Sequence, residues 1–112
     1  MKPIFERADR LTDAVYRITV SFPSNDDRGL ATLIQRSTAS ICANLAEGSI
    51  EGALRSASET ANHLHAAREA KLLDEPIHRR LLAEAEAVRQ QLAGLAASGG
   101  RPAIGGRPAI GG

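Results

Sequence analysis

The sequence is poor in aromatics and cysteine, and it has no tryptophan. Its 112 residues include one tyrosine, Tyr16, and two phenylalanines, Phe5 and Phe22. A core must therefore be built from Leu, Ile, Val and Ala, and the Ala and Leu among them lose little freedom on entering a helix. The lone Cys42 excludes an intramolecular disulfide and suits a reducing compartment. No window approaches the ~18 apolar residues that span a bilayer. The N-terminal run Met1-Lys2-Pro3-Ile4-Phe5-Glu6-Arg7 is charged and amphipathic, unlike the apolar stretch of a signal peptide. These absences predict a cytoplasmic location and no membrane partner. A strong charge of one sign is missing too. The net charge is +1, but Arg101 and Arg107 lie near the C-terminus, so residues 1–98 hold twelve Lys/Arg against thirteen Asp/Glu. Domains that bind nucleic acid usually carry a basic surplus, because phosphate contacts supply much of their affinity. The balance disfavours a nucleic-acid partner and leaves room for a local basic stripe only.

What is present is helical periodicity. Ile4, Ala8, Leu11, Val15, Ile18 and Phe22 recur at steps of four and three, which predicts a helix from Pro3 to about Phe22. Pro23 ends it. A second helix is predicted from about Asp27 to Glu47, with Leu30, Leu33, Ile34, Ile41 and Leu45 apolar and Gly48 as its C-cap. A third is predicted from about Gly52 to Leu72 through Leu54, Ala57, Ala61, Leu64 and Ala67. Ser56 and Glu59 have capping-box spacing, which offers a later start. Asp74-Glu75-Pro76 reads as an N-cap and first turn. The fourth helix then carries Ile77, Leu81, Ala85, Val88, Leu92 and Leu95 to about Ala97. Short connections between helices of this length predict an all-α, up-and-down antiparallel four-helix bundle over residues 1–97.

The composition changes at Ser98. Arg101-Pro102-Ala103-Ile104-Gly105-Gly106 is repeated as Arg107 to Gly112. Glycine and proline break helix and strand alike, so residues 98–112 read as a flexible low-complexity tail. Two alternatives stand beside that reading. One is a tandem peptide ligand, with Arg101, Pro102 and Ile104 and their copies Arg107, Pro108 and Ile110 as contacts, the pair giving avidity. The other is a precursor whose repeats are processed.

Three features carry a family resemblance: Val15-Tyr16 before Phe22-Pro23, then Gly29-Leu30 with Ile34-Gln35-Arg36-Ser37, then Ser40-Ile41-Cys42-Ala43-Asn44-Leu45-Ala46-Glu47-Gly48. Together they resemble the four-helix-bundle proteins of the 23S rRNA intervening-sequence family, over about residues 4–97. One stretch departs: Ser49 to Leu54 stands where the family usually has a basic-aromatic segment. The resemblance implies a homo-oligomer, a pentamer by analogy with the related accessory protein of diversity-generating retroelements. That relative also contacts a reverse transcriptase and nucleic acid.

Candidate constellations are few. Asn44 and Glu47 lie three apart, hence on one helix face, and with Ser37 and Ser40 they form a polar streak ending at Gly48. The streak reads either as a network fixing register or partner contact, or as local capping and backbone bonding. Gln35 and Arg36 read as a site for an acid or phosphate, or as a solvated face. Glu59 and His63 supply two metal ligands where a site needs three or four, and His65 and His78 lie apart from them. Arg79, Arg80 and Arg89 are interrupted by Glu84 and Glu86. Cys42 lacks a partner that would activate it and reads as a packing residue. No nucleophile, phosphate loop, metal or cofactor signature emerges. The expected function is a non-enzymatic, self-associating adaptor or accessory scaffold that binds a protein partner. The alternative is an RNA-binding accessory protein.

Overall fold

The computed structural model describes residues 3–23, 25–26 and 28–99, so the expectations for the tail, from Arg101 to Ile110, lie outside the described residues. Four α-helices follow one another: α1 (Ile4–Thr19), α2 (Leu30–Ala46), α3 (Ile50–Glu69) and α4 (Glu75–Ala97). No strand occurs among the described residues. Each helix packs beside its neighbour in sequence, α1 closes the ring against α4, and the backbones of the diagonal pairs stay apart. This is the expected up-and-down four-helix bundle.

Three helix ends differ from the periodicity. α1 stops at Thr19 rather than Phe22. The N–H groups of Ser21 and Phe22 bond to Ile18 and Thr19, three residues back, which is the tighter turn often found at helix ends. Pro23 explains the stop, since it disfavours helix at the residue before it. α2 begins at Leu30 rather than Asp27. The Asp26 carboxylate accepts from the N–H groups of Leu30 at 2.7 Å and Ala31 at 2.9 Å, so it serves the helix from outside. α3 begins at Ile50 and not at Ser56. Ser49 is its N-cap and accepts from the Gly52 N–H at 3.1 Å, while Ser56 is buried within the helix. α4 starts where its signals lie, with Asp74 accepting from the Ile77 N–H and Pro76 in the first turn.

The core follows the apolar stripes. Ile4, Ala8, Leu11 and Val15 come from α1, and Leu30, Ile34, Ile41 and Leu45 from α2. α3 contributes Ile50, Leu64 and the alanines at 53, 57, 61 and 67, and α4 contributes Leu81, Ala85, Val88 and Leu92. Leu33, expected among the apolar positions of the second helix, is 38% exposed.

α2 and α3 end in the same motif, a six-residue hydrogen bond closed by a left-handed residue. After α2, Ser49 donates to the Asn44 carbonyl at 2.8 Å and Gly48 to Leu45 at 3.0 Å, with Gly48 at φ +78°. After α3, Leu72 donates to Ala67 and Lys71 to Arg68, each at 2.9 Å, with Lys71 at φ +62°. Glycine takes this conformation freely, whereas a side chain costs roughly 1–2 kcal/mol there. Lys71→Gly is therefore expected to raise stability by roughly 0.5–1 kcal/mol, after the added entropy of an unfolded glycine. Gly48→Ala is expected to lower it by about 1–2 kcal/mol. Urea unfolding followed by circular dichroism checks both signs.

Candidate functional site

The signature segment from Ser40 to Gly48 builds the α2–α3 contact. Asn44 donates to the Ser40 carbonyl at 2.9 Å and to its hydroxyl at 3.2 Å. The Ser40 and Ser56 hydroxyls bond across the two helices at 2.8 Å. One turn away, Thr60 donates to the Ser37 hydroxyl at 2.8 Å, and Ser37 bonds the Ile34 carbonyl at 3.1 Å. Ser37, Ser56 and Thr60 are all buried, so these bonds supply the partners that buried hydroxyls need. The close approach depends on Gly52. A Cβ there would collide with Asn44 Oδ1 and lie 2.8 Å from its Cγ and 2.7 Å from Ser49 Oγ. The periodicity reading leaves out Gly52, Ser56 and Thr60. Their signal is spacing by four opposite Ser37, Ser40 and Asn44.

Glu47 does not join this seam. It is exposed at the end of α2, its backbone N–H bonded to Ala43 and Asn44. Gln35 and Arg36 separate as well. Gln35 donates to the Thr19 hydroxyl at 2.7 Å and ties α2 to α1, whereas Arg36 is exposed and makes no salt bridge among the described residues. Arg36 is the one charged residue within α2. The outward side of that helix is otherwise Thr32, Leu33, Ala39, Ala43 and Ala46, all exposed. Beside it α1 presents Phe5 at 45%, Tyr16 at 57% and Val20 at 57% exposure. The spacing of Phe5, Asp9, Thr12, Tyr16 and Val20 puts them along one stripe of α1. Thr12 reaches Cys42 Sγ at 3.5 Å and Thr19 meets Gln35, so this stripe borders α2.

A family model described as 23S rRNA-intervening sequence protein matches residues 3–94. The chain belongs to that family. No curated protein matches the sequence. The matched span includes the whole α2–α3 seam and the α1–α2 face, and stops before the repeats. It describes small helical proteins rather than a known class of enzyme.

In this family member two of the histidines come together. His65 and His78 meet across α3 and α4, ring centres 5.1 Å apart and tilted by 53°. His78 is 4% exposed, and neither ring nitrogen has a hydrogen-bond partner among the described residues. Burial pushes its pKa below the ordinary imidazole range, the Arg68 guanidinium adds to this, and His65 and Arg79 act in the same direction against Glu75. Arg68 bridges to Glu75 at 3.2 Å and Glu69 at 3.5 Å, and its hydrogen bond holds the Glu75 carboxyl below the usual carboxylate range. Among the described residues no three His, Cys, Asp or Glu side chains gather as a metal would need. Cys42 is half-buried, its thiol donating toward Asp9 at 3.4 Å. Burial raises its pKa, the Thr12 hydrogen bond opposes this, and Asp9 adds to it; the inactive thiol is favoured. Of the arginines interrupted by Glu84 and Glu86, Arg79 pairs with Glu75 and Arg89 with Glu86. No helix among the described residues is long and apolar enough to cross a membrane.

Two outcomes follow. Gly52→Ala is expected to cost about 1–3 kcal/mol by overpacking, although alanine is the better helix former. In an Asn44→Ala background the cost should shrink, leaving only the shift that Ser49 Oγ must make, and a double-mutant cycle by urea unfolding measures the coupling. His78 binds its proton less readily folded than unfolded. Its contribution is therefore complete above the unfolded value of about 6.5 and is lost as pH falls below it toward the lowered folded value. Melting temperature should drop on acidification through that window. His78→Leu should flatten the drop, and an unchanged drop in that variant excludes His78 as its source.

Proposed function

We propose that this chain is a non-enzymatic helical-bundle scaffold that associates with itself and, once assembled, holds a protein partner. The observation that carries the reading is the outer face of the α1–α2 layer. There Phe5, Tyr16 and Val20 are exposed beside a helix with a single charge. A helix facing water ordinarily displays charged residues on that side, and a contiguous exposed apolar patch marks an interaction site. The charges favour a protein partner over nucleic acid. Arg10, Arg17, Arg68, Arg79 and Arg89 are each engaged by an acid of the same chain, leaving fewer free cations for phosphate contacts. The two Arg-Pro-Ala-Ile-Gly-Gly repeats are assigned in this reading to binding the partner.

Size-exclusion chromatography with light scattering, with absorbance followed for nucleic acid, tests the proposal. The expected native mass exceeds the 11.8 kDa of one chain. Tyr16→Glu or Ala39→Glu should reduce it to that value while circular dichroism keeps its helical signal. A single-chain mass for the unaltered protein at its highest soluble concentration rejects self-association. Tightly copurifying RNA would move the assignment to the nucleic-acid alternative.

A further inference from the structure

Independently of what the outer faces bind, we infer that the α3–α4 corner is a latch worked by a proton. A neutral His78 holds the first turn of α4 against α3, and a proton on its ring lets that turn go while the rest of the bundle stays folded.

The geometry at the ring carries this. His78 stands at the end of the first turn of α4 and is buried. From α3 it meets His65, which is exposed, at 5.1 Å between ring centres. The contact therefore runs from the surface inward. Neither His78 nitrogen has a hydrogen-bond partner among the described residues. Buried polar groups ordinarily have one. A neutral ring in this setting packs as an apolar body. A protonated ring carries a full charge and two N–H donors, and burying a charge with no partner is far more costly than burying the neutral group.

The acids of the corner are already engaged. Glu75 turns Oε1 to Arg68 at 3.2 Å and Oε2 to Arg79 at 3.5 Å. Glu69 lies 3.5 Å from Arg68. The Asp74 carboxylate accepts from the Ile77 N–H at 3.4 Å. Arg68 and His65 of α3 and Arg79 of α4 all oppose a positive charge on His78, and Glu75 acts against them. None of these groups comes from α1, the other helix packed on α4. Its Asp13 and Arg17 pair with each other at the surface. The corner also buries Arg68 Nε with no partner among the described residues, so two of its polar groups gain by meeting water.

The turn has a place to bend. The connection from α3 to α4 passes through Lys71 at φ +62°, a conformation that costs a side chain energy and that opening relieves. Swinging the first turn of α4 about that point bares the buried Leu73 and hydrates His78.

Amide hydrogen exchange followed by NMR tests the latch, expressed as protection factors so that the intrinsic pH dependence of exchange drops out. From about pH 7 to about pH 5, protection at residues 73–81 should fall by roughly twentyfold, as expected for one proton gained by a group whose open-state value is about 6.5. Urea below the unfolding transition should leave that protection almost unchanged, because one turn exposes little surface. His78→Leu should abolish the fall with pH. Three results overturn the latch. One is protection at 73–81 that follows the same urea slope as the amides of Ile41 and Ala57 in the α2–α3 contact. The second is protection that ignores pH. The third is a fall with pH that persists in His78→Leu. The first two are read on the unaltered protein, so they decide even where the variant fails to fold.

Discussion

The close approach of α2 to α3 is the constraint on which the remaining structure depends. It exists because the facing residues are small and because their polar atoms find partners across the contact. Ser40 meets Ser56 and Thr60 meets Ser37 at 2.8 Å, and the Asn44 amide lies over Gly52, where a methyl group has no room. An apolar contact of similar tightness would need no register. Hydroxyl pairs do, because an unpaired buried hydroxyl costs about 1–3 kcal/mol. With that register set, the alanines of α3 can fill the space toward α4, and the larger Leu, Ile and Val side chains of the other three helices close the centre.

The same constraint gives α2 its two characters. Toward α3 it spends its polar residues, and toward α1 it offers Thr38, Cys42 and Gln35. Few charged residues are then left for its outward side. The aromatic groups, scarce as they are, stand on α1 next to that side rather than in the core. A protein with three aromatics that exposes two of them has placed its largest apolar groups where another surface can use them. The proposed scaffold role is one resolution of that arrangement.

Most of the fold was legible from spacing. The stripes of α1 and α4 follow the apolar period, and Asp74-Glu75-Pro76 marks a helix start without tertiary help. Where the reading failed, local rules competed. Asp26 stands four residues before Leu30, and only the folded turn brings its carboxylate to the Leu30 and Ala31 N–H groups. Ser56 and Glu59 match a capping box, but Ser49 caps first and leaves Ser56 to the seam. The site was less legible, because it depends on pairs far apart in sequence. Nothing local says that Ser37 faces Thr60 or that His65 meets His78. Arg36 and Gln35 are neighbours in sequence, yet one turns to solvent and the other to Thr19. The family signature lies on the α2 side of the seam, where hydrogen bonds account for Ser40 and Asn44.

The two turns built on the same motif are not equal. Gly48 takes the left-handed position freely, beside a helix whose N-cap is formed by Ser49. Lys71 takes it under strain, two residues before the buried Leu73. These corners lie at opposite ends of the bundle, and the α1–α2 turn shares the end that holds Lys71. The molecule therefore has a firm pole and a soft pole. Amide protons near Lys71 and His78 should exchange through local opening, while those around Asn44 and Gly52 wait for the whole bundle to come apart. Such a gradient lets one end yield without loosening the register that the other end keeps.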